Sequence, residues 1–470
     1  MSFFDNLHQY ADSICLIDEV AGEFSYQTVG DLCDEVSSAI TPNKKLVLVI
    51  CENRYESIVG YLSTLRADSV AMLVNASLSK ELLDEIINLY QPHFIWKPID
   101  IESTQAVRTI AGYGLYSLCE NPNVELNSEL SLLLSTSGST GSPKFTRLTE
   151  KNITSNAISI AEYLELDVMD RPITTLPMAY SYGLSVINSH LHVGATILLT
   201  DSSLVTKSFW CFLRDNQATS MAGVPYTYQM LQTLRFARMD LPSLRKMTQA
   251  GGKLSPDLAE DFAKVTKEKD IQFFIMYGQT EATARISYVP AESVQKKFLS
   301  IGKAIPQGKL FICSEDRFEI DEPGIEGELI YEGPNVMMGY AECAADLSKG
   351  DELSARLHTG DLGQFDDDGF FYVTGRIKRI IKMFGNRINL DQLDQFISSN
   401  GFIGVSGGED DHLKIALTGE QGREQDIVAA KKVIIDAFKF DHKAVEVFMI
   451  DEIPRSESGK ILYGQLFKVK

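Results

Sequence analysis

The chain has 470 residues, too many for one ordinary domain and suited to one large and one small domain. An apolar fraction of 44% and a charged fraction of 23% allow a sizeable globular core. A formal net charge of -20 repels phosphate backbones and anionic head groups, which argues against a nucleic-acid or membrane-surface role.

In chain order, the opening MSFFDNLHQYADSICL lacks the basic and apolar regions of a signal peptide. LVLVIC (46–51) reads as a buried strand, far too short to span a bilayer, so the expectation is a cytoplasmic protein without membrane insertion. YESIVGYLSTLRA reads as a helix, AMLVN as a strand, SKELLDEIINLY as a helix capped by Ser79, and HFIWK as a strand. ITTLPM, ATILLT and IQFFIMYG continue the rhythm, which predicts parallel sheets covered by helices. After about Leu310, GELIYEG and GFFYVTG are short strands with Gly-rich turns, a smaller β-rich unit. GNRINLDQLDQFISSNG begins a compact α+β unit, and DDDG (366–369) is a solvated turn. The seven cysteines, Cys15, Cys33, Cys51, Cys119, Cys211, Cys313 and Cys343, form no CxxC pair and read as scattered thiols of a reducing compartment. His190 and His192 lack a carboxylate or cysteine partner, which makes a metal site there a poor reading.

Two segments carry chemistry in their own residues. In LLLSTSGSTGSPKFTRLT (132–149) an apolar strand runs into a loop of Ser, Thr and Gly that ends at Lys144. Glycines let backbone N–H groups approach a polyphosphate, hydroxyls add donors and the lysine adds a point charge. Pro143 before Lys144 and Phe145 after it break the Walker A pattern, which argues against an ADP-releasing phosphate-loop kinase or ATPase. In MYGQTEAT (276–283), Tyr277 offers a ring for stacking on a base, and Gln279 and Thr280 can bond phosphate or carboxylate. Glu281 there is a hard oxygen ligand suited to Mg²⁺.

STSGSTGSPK resembles the phosphate loop of the adenylate-forming superfamily, which includes acyl-CoA synthetases, peptide-synthetase adenylation domains and firefly-type luciferases. Further signatures follow in the family's order. MYGQTEAT resembles its adenylate-binding segment, GELIYEGPNVMMGY precedes HTGDLG, GRIKRIIKMFGNRI resembles its hinge, and PRSESGK its catalytic-lysine loop. The resemblance implies that Thr136, Ser137, Gly138, Ser139, Thr140, Gly141 and Lys144 hold the phosphates. It implies that Gly251 and Gly252 of QAGGKLS pass close to the adenine, that Tyr277 stacks on it, and that Gly278 and Gln279 also belong to the ATP- or AMP-binding set. Asp361 and Arg376 are implied to contact the ribose, and Tyr180 of LPMAYSYGLS and Val224 of AGVPYTY, with Pro225, to line the acyl pocket. Lys460 is the implied catalytic residue beside Thr280 and Glu281, since an ammonium bridging carboxylate and α-phosphate stabilises the charge built in the transfer. Lys378 is the implied hinge.

The resemblance implies an α/β, acyl-CoA synthetase-like fold. A large N-terminal AMP-binding domain (1–377), with two α/β subdomains and a β-rich lobe, is expected to be followed by a small mobile α+β C-terminal domain (378–470) carrying Lys460. The implied activity uses ATP and Mg²⁺ to convert a carboxylic acid to acyl-AMP. The acyl group then passes to coenzyme A or to the phosphopantetheine of an acyl carrier protein. The short acidic stretch FIGVSGGEDDHLKIALTG leaves the acceptor open. An adenylating enzyme with a non-thiol acceptor and a non-catalytic acyl-nucleotide-binding relative are the remaining alternatives, the latter disfavoured by the retention of Lys460 and Glu281.

Overall fold

A computed structural model describes residues 2–99, 106–118, 124–136, 144–384, 386–419, 423–455 and 461–467, with backbone alone at 386, 387, 423 and 424. The chain forms two compact units. The first gathers the described residues among Met1–Gly138, Ser142–Leu310 and Tyr331–Leu357, and the second those among Phe311–Ile330 and His358–Lys470.

An eight-stranded sheet of the first unit is built on LVLVIC. Strand Leu46–Cys51 is buried along its whole length and lies parallel between Val70–Asn75 and Phe94–Pro98. A continuous apolar run fits a strand covered on both faces. Strand Leu130–Ser135 pairs parallel with Val70–Asn75 and antiparallel with Phe145–Thr149, so the residues between 135 and 145 join two neighbouring strands. Helix Lys80–Tyr90 starts at Ser79, whose Oγ accepts from the Leu82 N–H, and stops at Gln91 in the left-handed region. Trp96, fully buried, donates from Nε1 to the Glu56 carbonyl at 2.8 Å and so satisfies the one polar atom that it brings into the core.

A nine-stranded sheet of the same unit is parallel from Ile14–Asp18 through Ile197–Leu199, Pro172–Ile173, Ser220–Gly223 and Lys246–Gln249 to Gln272–Tyr277. Its edges are antiparallel: Gly22–Ser25 on one side, Ser287–Val289 and Lys303–Ala304 on the other. The all-parallel expectation therefore holds only in the middle, because the edge connections carry no crossover helix. Of ITTLPM only Ile173 lies in a strand, the two-residue Pro172–Ile173. Thr174 bonds back through its hydroxyl to the Thr200 carbonyl, Thr175 donates to the Ala222 carbonyl at 2.5 Å, and Pro177 has no N–H to continue a ladder.

A five-stranded sheet, most of whose residues belong to the second unit, is ordered Glu319–Ile320, Lys309–Cys313, Gly327–Glu332, Arg356–Phe365, Phe371–Arg376. Asp366 makes the turn between the last two strands, accepting from the Asp368 and Phe370 N–H groups. The C-terminal part packs helices Leu390–Ser399 and Arg423–Phe438 with the strands Ile403–Glu409, His412–Thr418 and Val445–Met449, around a core that includes Leu393, Ile397, Ile415 and Ile434. GRIKRIIK is not one strand. Ile377–Arg379 is a 3₁₀ turn, because buried Arg379 turns inward to Asp391 and Asp394, at 2.6 Å each, and over the Tyr463 ring.

Among the described cysteines Cys15, Cys33, Cys51 and Cys313 are buried, and burial pushes the Cys33 thiol up to about 12. Cys119 lies outside the described residues. No helix among them is long and apolar enough to cross a membrane.

Candidate active site

Strand Gln272–Tyr277 ends the parallel run of the nine-stranded sheet, and ligand sites in such sheets lie beyond the carboxyl ends of the strands. The chain there turns through Gly278 and Gln279 into a 3₁₀ turn, Thr280–Ala282, and returns as Ser287–Val289. The turn is tight. A Cβ on Gly278 would stand 1.7 Å from the Ala284 carbonyl oxygen, so only glycine fits. Thr283 and Ala284 both adopt positive φ, 61° and 145°. Such strain persists only where the surroundings over-determine it. Asn335 does much of this: its Nδ2 donates to the Ala282 and Arg285 carbonyls at 2.8 Å each, and its Oδ1 accepts from the Tyr331 hydroxyl at 2.9 Å. The Thr283 hydroxyl donates to the Asn335 carbonyl, and the Met337 N–H to that of Glu281.

This frame aims the side chains. Glu281 Oε1 accepts from the Tyr340 hydroxyl at 2.7 Å. Burial, then the Glu281 charge, pushes the Tyr340 phenol well up, so it stays a proton donor at neutral pH. The Lys144 ammonium lies 3.7 Å from the centre of the same Tyr340 ring and 3.3 Å from Glu342. One aromatic ring thus brings together the glutamate of YGQTE and the lysine that ends the Ser/Gly loop. The Thr136 N–H donates to the Lys144 carbonyl at 3.0 Å. Ser137, Gly138, Ser139, Thr140 and Gly141 lie outside the described residues, as does Lys460.

The Thr280 hydroxyl is 3.1 Å from that of Ser181, at the start of helix Ser181–His192. Tyr180 precedes it. A Cβ on Gly251 (φ 81°) would lie 2.7 Å from the Tyr180 hydroxyl and 3.0 Å from Val224 Cγ1, so Tyr180, Val224 and Gly251 converge. Burial and the neighbouring Tyr182 push the Tyr180 phenol up to about 12. Gly252 accepts from Gln249 through its carbonyl and faces Pro225. Gln279 donates to the Tyr277 hydroxyl at 3.2 Å. In the second unit, Asp361 and Arg376 are paired across neighbouring strands, with Arg376 Nε 3.1 Å from Oδ1 of the buried aspartate. Lys378 is exposed on the Ile377–Arg379 turn.

Sequence reading did not single out Tyr340, Asn335, Ser181 or Arg285. The first two stand in GPNVMMGY, recognised only as a segment, and their partners are some 50 or more residues away. Among the described residues no group of three or more His, Cys, Asp or Glu could hold a metal by itself. A single carboxylate such as Glu281 fits Mg²⁺, which is commonly held by one or two carboxylates together with substrate phosphates.

The model of the family described as "AMP-binding enzyme" matches residues 3–341. The chain is 26% identical to oxalate–CoA ligase of Arabidopsis thaliana, over 94% of this chain and 93% of that protein. It is 27% identical to 2-succinylbenzoate–CoA ligase of Bacillus cereus, over 94% and 92%. Its fold matches that of o-succinylbenzoate CoA synthetase from Bacillus subtilis in complex with the acyl-adenylate intermediate, with a TM-score of 0.79 at 20% identity, covering 100% of this chain and 98% of that one. The same enzyme in complex with ATP and magnesium ion matches with a TM-score of 0.77 at 21% identity, over 99% of each chain. With its α/β fold and the YGQTE turn in place, this chain belongs to the AMP-binding enzyme family and is an enzyme of the ligase class.

Proposed function

We propose that this chain is an ATP-dependent, AMP-forming carboxylic acid–coenzyme A ligase. The observation that carries the reading is that Tyr340 holds Glu281, the residue after Thr280, at its hydroxyl and Lys144 over its ring. A substrate carboxylate oxygen attacks the α-phosphorus of ATP, the bond to the β-phosphate breaks, and pyrophosphate leaves. The thiol then attacks the acyl carbon, and AMP leaves with the bonding electron pair. Lys144 and the Thr136 strand end bind the polyphosphate, and Thr280 orients the α-phosphate or the carboxylate. Mg²⁺, when bound at Glu281, neutralises developing phosphate charge. Asp361 and Arg376 take the ribose hydroxyls, Gly251, Gly252 and Tyr277 the adenine, and Tyr180 and Val224 the acyl group.

Residues 378–470 are proposed as the small domain. It would deliver Lys460 for adenylation, with Lys378 as its hinge. The names of the relatives support coenzyme A as the acceptor. The phosphopantetheine of a carrier protein presents the same thiol arm and is the alternative. The test is carboxylate-dependent exchange of labelled pyrophosphate into ATP, followed by thioester formation with coenzyme A or with a holo carrier protein. Release of ADP, or no exchange across a broad acid panel, would overturn the reading. Lys460→Ala is expected to lose adenylation yet still use preformed acyl-AMP.

A further inference from the structure

Behind Tyr182 the first unit holds a small cavity of ≈ 20 Å³ whose lining includes Arg285, His190, Lys246, Thr248, Met221 and Ile160. Arg285 is 1% exposed, and its guanidinium Nε and Nη1 find no hydrogen-bond acceptor. Its Cζ lies 4.0 Å from the centre of the Tyr182 ring. A desolvated cation over a ring recovers only part of what burial of a full charge costs. The neighbours do not balance it. Lys246 is already matched by Asp170, at 3.0 Å. His190 sits with Nδ1 2.7 Å from the Val186 carbonyl, and burial pushes its imidazole down to about 4, so it is neutral at pH 7. One positive charge is left over.

That charge stands close to the reacting centre. Arg285 is four residues beyond Glu281, a length of chain that spans at most about 14 Å. Thr280 touches Ser181, and the next residue, Tyr182, carries Arg285 on its ring. Tyr180 and Tyr182 pack edge to face with centroids 6.3 Å apart, so the acyl-pocket aromatic and the arginine-bearing one form one wall. We infer that Arg285 is a specificity-determining residue that recognises a second anionic group on the substrate, so that the acid adenylated here is a small dicarboxylic or otherwise doubly anionic acid. The inference rests on the adenylation reading above.

The test uses the full-length enzyme and pyrophosphate exchange with matched acid pairs, each straight-chain or aromatic diacid set against the monoacid of equal size. Wild type is expected to favour the diacid by at least about 100-fold in kcat/KM, since leaving a buried charge unpaired penalises the wrong substrate heavily. Arg285→Met should remove that preference, mainly through KM for the diacid, while monoacid rates stay level or rise. Arg285→Lys, which keeps the charge and loses the fork, should retain part of it. The diacid should raise the melting temperature of wild type and not of Arg285→Met. Monoacids as the best wild-type substrates, or an equal loss on both acids in Arg285→Met, would overturn the inference and leave adenylation standing. No exchange with any acid would fell the adenylation reading, and this inference with it.

Discussion

Replacing Tyr340 by Phe removes one oxygen from the site and leaves the ring. The lost contact is the 2.7 Å bond from its hydroxyl to Glu281 Oε1. A hydrogen bond to an ionised partner contributes roughly 1.5–3 kcal/mol. If Tyr340 positions the carboxylate for the metal-bound nucleotide, that loss falls on the adenylation step and slows it roughly 10- to 150-fold. The Mg²⁺ concentration for half-maximal rate should rise with it, a response that a merely structural tyrosine would not give. Tyr340→Leu also removes the surface under the Lys144 ammonium, 3.7 Å from the ring centre, at a further cost of about 0.5–1 kcal/mol. The assay is carboxylate-dependent pyrophosphate exchange over a Mg²⁺ series, run on Tyr340→Phe, Glu281→Gln and the double variant. In the double variant the two losses should fall well short of adding, because one contact is removed twice. Exchange within twofold of wild type for Tyr340→Phe at limiting and at saturating Mg²⁺ would refute the positioning role.

Asn335→Ala would leave the Ala282 and Arg285 carbonyls and the Tyr331 hydroxyl without a buried partner. At about 1–3 kcal/mol for each orphaned group, the loss should be about 3 kcal/mol or more by urea unfolding, and a loss under about 1 kcal/mol would show that the turn holds itself. Stability should also fall in mild acid. His93, 8% exposed, accepts the Leu46 N–H on Nδ1 at 3.1 Å, and burial, with Lys45 adding, pushes its imidazole down from 6.5 to about 4. The unfolded chain therefore takes up the proton first. The contribution is complete above pH 6.5 and is lost as the pH falls towards 4, roughly 3 kcal/mol over the full span. His190 acts in the same direction, through burial first. His93→Gln should flatten the pH dependence of urea unfolding between these limits, and an unchanged slope would exclude His93 as its source.

What could be read in the sequence was what is written locally. LVLVIC announces a strand buried on both faces because no polar residue interrupts it, and Ser79 announces its helix because a cap acts within three residues. YGQTEAT is legible for the same reason: its turn needs a tight backbone, and Gly278 records it. Asn335 and Arg285 leave no such record. An asparagine in GPNVMM reads as a turn residue until two carbonyls 50 and 53 positions away are seen on its amide. An arginine just before a short strand reads as a surface cation, and only its burial to 1% exposure turns it into a question about charge. The antiparallel sheet edges were missed because alternating strands and helices imply crossovers, and the rhythm does not mark the connection where the crossover helix is lacking.

The resting contacts of Lys144 bear on how an acidic enzyme can hold a polyanion. An ion pair with the exposed Glu342 contributes at most about 1 kcal/mol, and a ring contact at a half-exposed site about 0.5–1 kcal/mol. Together they are comparable to the side-chain entropy of a free lysine, up to about 2 kcal/mol. They are therefore strong enough to keep the ammonium near Tyr340 and weak enough for a triphosphate, with its charge-assisted bonds, to displace. Glu342 is then released to solvent at little cost, whereas Glu281 keeps its bond to Tyr340. On a protein with a net charge of -20, attraction to a nucleotide has to be local. A lightly tethered lysine beside a firmly held glutamate provides it, by delivering the cation while fixing the carboxylate that the proposed metal requires.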